Sequence, residues 1–243
     1  MTRLTTQTDT EEQLFADFKR KLNLEAAAAQ VAKLEYDMTC ATTEKAALRH
    51  ACQEANRLKI GAICVLPAQV KACENFLGSD PQTSLIACIS FPHGGDTTAI
   101  KVAAVKRAIK DGVDEVEVCA PIAYIKDGNW SYVKREFKKL KSAAKYRNVR
   151  IDAECGLLTA QELTKLCSVA ADCGITSVRT SHNENYDASV IGKMKTAVKD
   201  KCTIKASGVR TLADMDSATD MGAGIIGSTH ALDLAELILK SVD

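Results

Sequence analysis

Read from Leu34 onward, the apolar runs of this 243-residue sequence end on groups able to do chemistry. In chain order these are Asp37, Cys64, the loop Phe91-Pro92-His93-Gly94-Gly95, Glu117, Glu154, Arg179, Lys205 and Gly227-Ser228. Carboxylates, an amine and a thiol supply the parts of proton transfer and of covalent carbonyl chemistry. Glu115 and Glu117 share parity within one run, so on a strand both point the same way. Any one of these charges alone is ordinarily a solvated loop group. Several converging on one mouth read as a site, working or former.

The elements that must position them follow from the pattern. The runs Leu34–Met38, Ile60–Leu66, Ser84–Ser90, Asp114–Cys119, Val149–Glu154, Ile175–Thr180, Cys202–Ala206 and Gly224–Ile226 predict strands. Amphipathic stretches at 42–58, 67–77, 97–111, 130–146, 159–173, 186–199, 210–221 and 230–241 predict the helices between them. Strict alternation implies a parallel sheet, because parallel neighbours need crossover connections. Eight such units in this length predict an α/β fold, a closed (β/α)8 TIM barrel, with functional groups at the C-terminal ends of the strands. Ahead of it, Thr8 to Lys33 reads as helix. Leu14, Phe15, Phe18, Leu22 and Leu24 predict one or two helices packed against the barrel's N-terminal end. The expected organisation is one structural domain, with a helical extension over 1–33 and the barrel over 34–243.

Composition narrows the function classes. The chain is 46% hydrophobic and 26% charged, with a formal net charge of +1, which gives no reason to expect nucleic acid or a membrane surface as partner. No apolar run approaches a membrane span, and the acidic, Thr-rich start does not read as a signal peptide, so a soluble cytoplasmic protein is expected. The ten cysteines include no Cys-x-x-Cys pair, and the four histidines are scattered at 50, 93, 182 and 230. Free thiols in a reducing compartment, with no metal and no cofactor, is the reading that fits. His182 beside Ser181 suggests a hydrolase, but no third partner or nucleophile elbow accompanies it, and a polar loop is the simpler expectation. Gly94-Gly95 reads as a turn.

Several motifs in register resemble the deoxyribose-phosphate aldolase family. They are Ala62-Ile63-Cys64-Val65-Leu66-Pro67, Phe91-Pro92-His93-Gly94 and Gly112-Val113-Asp114-Glu115-Val116-Glu117. Further along come Val178-Arg179-Thr180-Ser181, Ile204-Lys205-Ala206-Ser207-Gly208-Val209-Arg210-Thr211 and Ile226-Gly227-Ser228. The resemblance runs from about Leu34 to the C-terminus. It implies a class I aldolase that cleaves 2-deoxyribose 5-phosphate to acetaldehyde and glyceraldehyde 3-phosphate through a lysine Schiff base, without metal.

The resemblance also marks departures. The Schiff-base lysine falls at Arg179, and a guanidinium stays protonated and cannot form an imine. One aspartate of the proton relay becomes Glu117, while the other matches as Asp37, Cys64 matches, and Lys205 stands where the family keeps a second, pKa-lowering lysine. Arg150 stands where the family often has a lysine. At the phosphate end, Ser207-Gly208-Val209 is one glycine short, Ile225 occupies an arginine position, and Gly227-Ser228-Thr229-His230 replaces a serine-rich motif. Ser207, Gly208, Gly227, Ser228, Thr229 and His230 are therefore expected to form a degenerate phosphate cradle.

Two expectations follow. The first is an aldolase-like protein inactive on 2-deoxyribose 5-phosphate and retained for binding or regulation. The basic helix carrying Lys134, Arg135, Lys138, Lys139, Lys141, Lys145 and Arg147 then offers a face for an acidic protein partner, with filamentous actin as the candidate and the homodimer common in the family as its assembly. The second is a residual carbon–carbon lyase on a small aldehyde or phosphorylated sugar. There Arg179 depresses the Lys205 pKa, Lys205 forms the imine, and Glu117 and Asp37 move protons.

Overall fold

Beginning at Leu34, strands and helices alternate until the sheet closes on itself, in a computed structural model that describes residues 5–181 and 186–242, with side chains from residue 13 onward. The strands are β1 (Leu34–Met38), β2 (Ala62–Val65), β3 (Ser84–Ile89), β4 (Glu115–Cys119), β5 (Asn148–Asp152), β6 (Ser177–Arg179), β7 (Thr203–Ala206) and β8 (Ala223–Ser228). All pair in parallel in sequence order, and β8 returns to β1 through Leu34↔Ile226, Glu35↔Gly227 and Tyr36↔Ser228. The expected barrel is thus the observed one.

The helices are α1 (Thr5–Val31), α2 (Lys45–Leu58), α3 (Val70–Leu77), α4 (Thr98–Asp111), α5 (Ile122–Lys126), α6 (Trp130–Ala144), α7 (Ala160–Asp172), α8 (Ala188–Val198), α9 (Leu212–Asp220) and α10 (Ala231–Lys240). Local chemistry fixes several starts. Thr159 and Thr211 each accept a backbone amide of the first turn, while Glu162 and Asp214 reach back to the capping residue. Strand and helix faces bury Ile63, Val65, Ile89, Val116, Ile151 and Val178 against Val105, Phe137, Leu140 and Leu166. Full burial of each such side chain contributes about 1.5–3 kcal/mol.

Boundaries shift where backbone groups are already committed. The expected strand Ile60–Leu66 ends at Val65, because Pro67 has no amide to pair and opens a short 3-10 turn. Ile175 lies outside β6, because its amide bonds the Ala170 carbonyl in the last turn of α7. In the other direction, β8 runs past Ile226 to Ser228, because closure requires Gly227 and Ser228 to pair with β1.

The N-terminal expectation needs correction. One continuous α1 forms, and its contact with the body is through Ala27 and Val31 against α10. Leu14, Phe15, Phe18 and Leu22 are not packed on the barrel: they are 64, 69, 65 and 55% exposed. The periodicity correctly reports an apolar face, but not what covers it.

Buried beneath the outer layer is an ion pair with no counterpart in the sequence reading. Lys101 on α4 reaches Glu136 on α6 at 2.8 Å and the Cys119 carbonyl at 2.9 Å, and Thr98 donates to the other Glu136 oxygen. Both side chains are fully buried, so α4, α6 and the end of β4 are locked into one unit.

Candidate active site

β1 supplies Glu35 and Asp37, β4 Glu115 and Glu117, β5 Arg150 and Asp152, β6 Arg179, and β7 Lys205. Pairs two residues apart face the same side, so the interior holds two successive polar levels where barrels commonly hold branched apolar side chains. In the deeper level, Arg150 donates to Glu35 at 2.5 Å and to both Glu115 oxygens at 2.9 and 2.7 Å. In the level nearer the strand ends, Arg179 is wholly buried and bonds Asp37 through both guanidinium ends. It also bonds Glu117 at 2.9 Å and the Ser181 carbonyl at 2.9 Å.

Lys205 joins the two levels. Its ammonium contacts Glu35, Glu117 at 3.2 Å and Asp37 at 3.5 Å, and the side chain is fully buried. Burial and the neighbouring Arg179 both push this ammonium towards losing its proton. Asp37, Glu117 and Glu35 outweigh them, so its pKa lies above the ordinary lysine value. The expected depression by Arg179 is present but reversed in sum, which corrects the premise of a neutral Lys205. Arg179 responds likewise: burial favours deprotonation, and Asp37 and Glu117 overcome it.

Cys64 sits at the edge of this cluster, with its thiol 4.0 Å from Glu117. Ligand atoms of Glu35, Cys64 and Glu117 lie within 4.8 Å of one another, close enough in principle for a metal ion. The same carboxylates already face the Lys205 ammonium and the Arg179 guanidinium, two positive groups that oppose a further cation. A second thiol group, Cys88 and Cys119, packs beside Cys64, and burial pushes the Cys88 thiol up. Glu154 closes the rim. Its backbone is left-handed at φ 44°, and its carboxylate accepts the Ser181 hydroxyl at 2.9 Å.

The expected phosphate residues lie close together, but much of their bonding capacity is used internally. Ser228 donates to the Val209 carbonyl and accepts the His230 amide at 2.9 Å, tying the end of β8 to the loop after β7. Gly227 faces inward, and a Cβ there would stand 2.8 Å from Lys205 Cε and 3.0 Å from Asp37 Oδ2. Its bareness makes room for the ion cluster. Gly208 holds φ +76°, a conformation that favours glycine, and so keeps the shortened loop turned. Thr229 and His230 are exposed, the latter 3.7 Å from Asp233. Ser207 lines a small recess of about 140 Å³ with Thr180, Ser181 and Tyr186. Its buried hydroxyl and that of Tyr186 have no bonding partner among the described residues. His182 lies outside the described residues. His93 and Gly94 sit in a turn closed by the Gly94 amide on the Ser90 carbonyl at 2.8 Å.

Two participants, Glu35 and Asp152, were not singled out in sequence, and neither was the buried Lys101–Glu136 pair outside the site. The first two had a usable signal, since Glu35 shares parity with Asp37 and Asp152 with Arg150.

The family model described as DeoC/LacD family aldolase matches residues 26–223. Deoxyribose-phosphate aldolase of Clostridium botulinum (strain ATCC 19397 / Type A) is 34% identical over 189 residues, covering 76% of this chain and 88% of that protein. Deoxyribose-phosphate aldolase 1 of Mesoplasma florum is 32% identical over 189 residues, covering 76% and 86%. Among solved structures, an aldolase designated QR15 superposes with a TM-score of 0.82 at 22% identity, covering 86% of this chain and 96% of that one. Deoxyribose phosphate aldolase from Aeropyrum pernix gives 0.76 at 20% identity, covering 89% and 93%. At those identities the structural likeness speaks to the fold alone. Among the described residues, no helix is long and apolar enough to cross a membrane.

Proposed function

We propose that this chain, which belongs to the DeoC/LacD aldolase family, does not turn over 2-deoxyribose 5-phosphate by imine chemistry and is retained for binding. The observation that carries this reading is Arg179. It stands where the resemblance puts the nucleophilic lysine, is buried, and is held at both guanidinium ends by Asp37 and Glu117. A guanidinium in that grip has no free lone pair for a carbonyl carbon, and the relay carboxylates it occupies are withdrawn from proton transfer.

Lys205 does not readily replace it. An ordinary lysine is neutral in only about one molecule in 2,500 at pH 7. The carboxylates around Lys205 move it further from neutrality. The internal use of Ser228, together with Ile225 at the expected arginine position, supports weak affinity for the phosphate end as well.

Borohydride reduction in the presence of acetaldehyde, followed by peptide mass mapping, tests the chemistry. The reading expects no added mass on Lys205. A reduced adduct there would instead support residual class I lyase activity at that lysine. The binding role draws on α6, where Lys134, Arg135, Lys138 and Lys139 are exposed and suit an acidic protein surface, with filamentous actin as the candidate. Salt-sensitive cosedimentation with filaments is expected, and its absence removes that partner.

A further inference from the structure

The small recess beside the end of β7 holds what the ion cluster does not: buried hydrogen-bonding groups with nothing to bond. Ser207 is 5% exposed, and neither its hydroxyl nor the buried hydroxyl of Tyr186 has a partner among the described residues. Most buried polar groups in proteins are satisfied, and one that is not weakens the fold. Two such hydroxyls on the wall of one recess ask for a ligand.

The frame around them is fixed. The Thr180 hydroxyl accepts the Ser207 amide at 3.1 Å, the Thr180 carbonyl accepts the Cys155 amide at 2.9 Å, and the Thr180 amide bonds the Lys205 carbonyl at 3.0 Å. One residue at the end of β6 thus ties together the segments that follow β5 and β7. Ser181, also on the wall, already donates to Glu154. Ser207 and Tyr186 therefore present the hydroxyls still open, while Val190, Ile191 and Ala206 supply an apolar wall.

Charge and size decide the class of ligand. Among the described residues no lysine or arginine lines the recess, and the neighbouring His182-Asn183-Glu184-Asn185, outside those residues, adds neither in sequence. The helix α8 starts here, but its Asp187 carboxylate accepts the Ser189 amide at 2.9 Å. A carboxylate in that place repels an anion and occupies an amide that would hold one. A cation fares no better, because no buried carboxylate on the described wall replaces the water it would lose. The recess measures about 140 Å³. A protein cavity of about 150 Å³ takes up benzene, which sets an upper size of about six non-hydrogen atoms.

We propose that this recess binds a small uncharged molecule carrying a hydroxyl or carbonyl oxygen, the size of a short-chain alcohol or ketone. Its oxygen bonds Ser207 and Tyr186, and its carbon chain lies against Val190, Ile191 and Ala206. Of the residues expected to cradle phosphate, only Ser207 lines the recess. The site stands whether or not the barrel turns over substrate.

The test is an amide and methyl NMR titration of the full chain with 2-butanone, 2-butanol and, separately, inorganic phosphate. Saturable shifts at Tyr186, Ile191 and Ser207 are expected with at least one uncharged probe, at a Kd of about 10 mM or tighter, and none with phosphate. Ser207→Ala/Tyr186→Phe should raise that Kd about tenfold or more. Its urea midpoint should stay level or rise, because neither hydroxyl gives up an internal partner. Val190→Phe, which fills the recess from α8 and leaves both hydroxyls in place, should abolish the shifts as well. No saturable shift with either uncharged probe leaves the recess to water and overturns the proposal. Phosphate binding at the same residues overturns it too. So do shifts that persist in both variants, which place the ligand elsewhere, Lys205 included. A midpoint of the double variant far below the native one would mean that the hydroxyls are bonded within the fold, and would also overturn it.

Discussion

Arg179 grips Asp37 through two hydrogen bonds, Nη1 to Oδ1 at 3.0 Å and Nη2 to Oδ2 at 2.8 Å. The planar fork of a guanidinium matches a carboxylate in a way that an ammonium cannot. With Nη1 also on Glu117, one side chain cross-links β6, β1 and β4 inside the barrel. The group that stands where the family resemblance puts the nucleophile therefore also contributes to the order of the strands.

Replacing Arg179 with Met should destabilise the fold by about 3–5 kcal/mol, because Asp37 and Glu117 would keep their charge with one cation fewer. Arg179→Lys retains the charge and loses the fork, so its loss should be less than half as large. Urea midpoints for the three proteins check this. Equal midpoints for the native chain and Arg179→Met would mean that the cluster is not holding the strands.

Gly227→Ala probes the same cluster from β8. Its added carbon would press on Lys205 Cε at 2.8 Å, and that side chain is pinned by carboxylates at its far end. A loss of about 1–3 kcal/mol is expected, as for overpacking elsewhere. A neutral effect in the same urea series would show that Lys205 moves freely and that the ion cluster is looser than described.

How far the sequence reveals this arrangement depends on which interactions are local. Alternating runs suffice for the barrel, because strand and crossover lengths follow from period and spacing alone. Asp37, Glu117, Arg179 and Lys205 were legible as strand-end charges, and they do converge. The charge state of Lys205 was not. Arg179 could be placed beside it by register, but Asp37, Glu117 and Glu35, reaching in from β1 and β4, together decide the balance, and no local pattern announces partners 88 to 170 residues away. The apolar stripe of α1 was seen and its cover misjudged, since periodicity gives a face and not its neighbour.

Alkaline pH should weaken the fold before the lysines titrate. Burial pushes the Cys167 and Cys202 thiols up to about 12, and it lifts the Cys88 thiol as well. These pKa values are higher in the folded chain than in the unfolded one. The stability linked to them is therefore fully present below about pH 8.5 and is lost as pH rises beyond it. Denaturation midpoints should be level from neutrality to about pH 8.5 and fall towards pH 10, and Cys167→Ala should reduce the slope. A midpoint that does not change over that range would contradict the burial of these thiols.

Cys40 should behave in the opposite way. It is exposed, and a hydrogen bond with the Thr42 hydroxyl at 3.1 Å lowers its pKa. Thiolate character and access together set alkylation rate. With limiting iodoacetamide, peptide mapping should find Cys40 labelled first, and Thr42→Val should slow it. Prior labelling of Cys64 or Cys88 would mean that the barrel interior opens more readily than this packing allows.

Steady-state cleavage of 2-deoxyribose 5-phosphate by the native chain, coupled to reduction of the triose product, decides whether the barrel retains aldolase chemistry. Product formation indistinguishable from a blank without protein is the predicted result. Turnover at an ordinary enzyme rate of about 1 s⁻¹ or faster would contradict it, and would mean that a carbonyl reaches a neutral amine despite the carboxylates around Lys205.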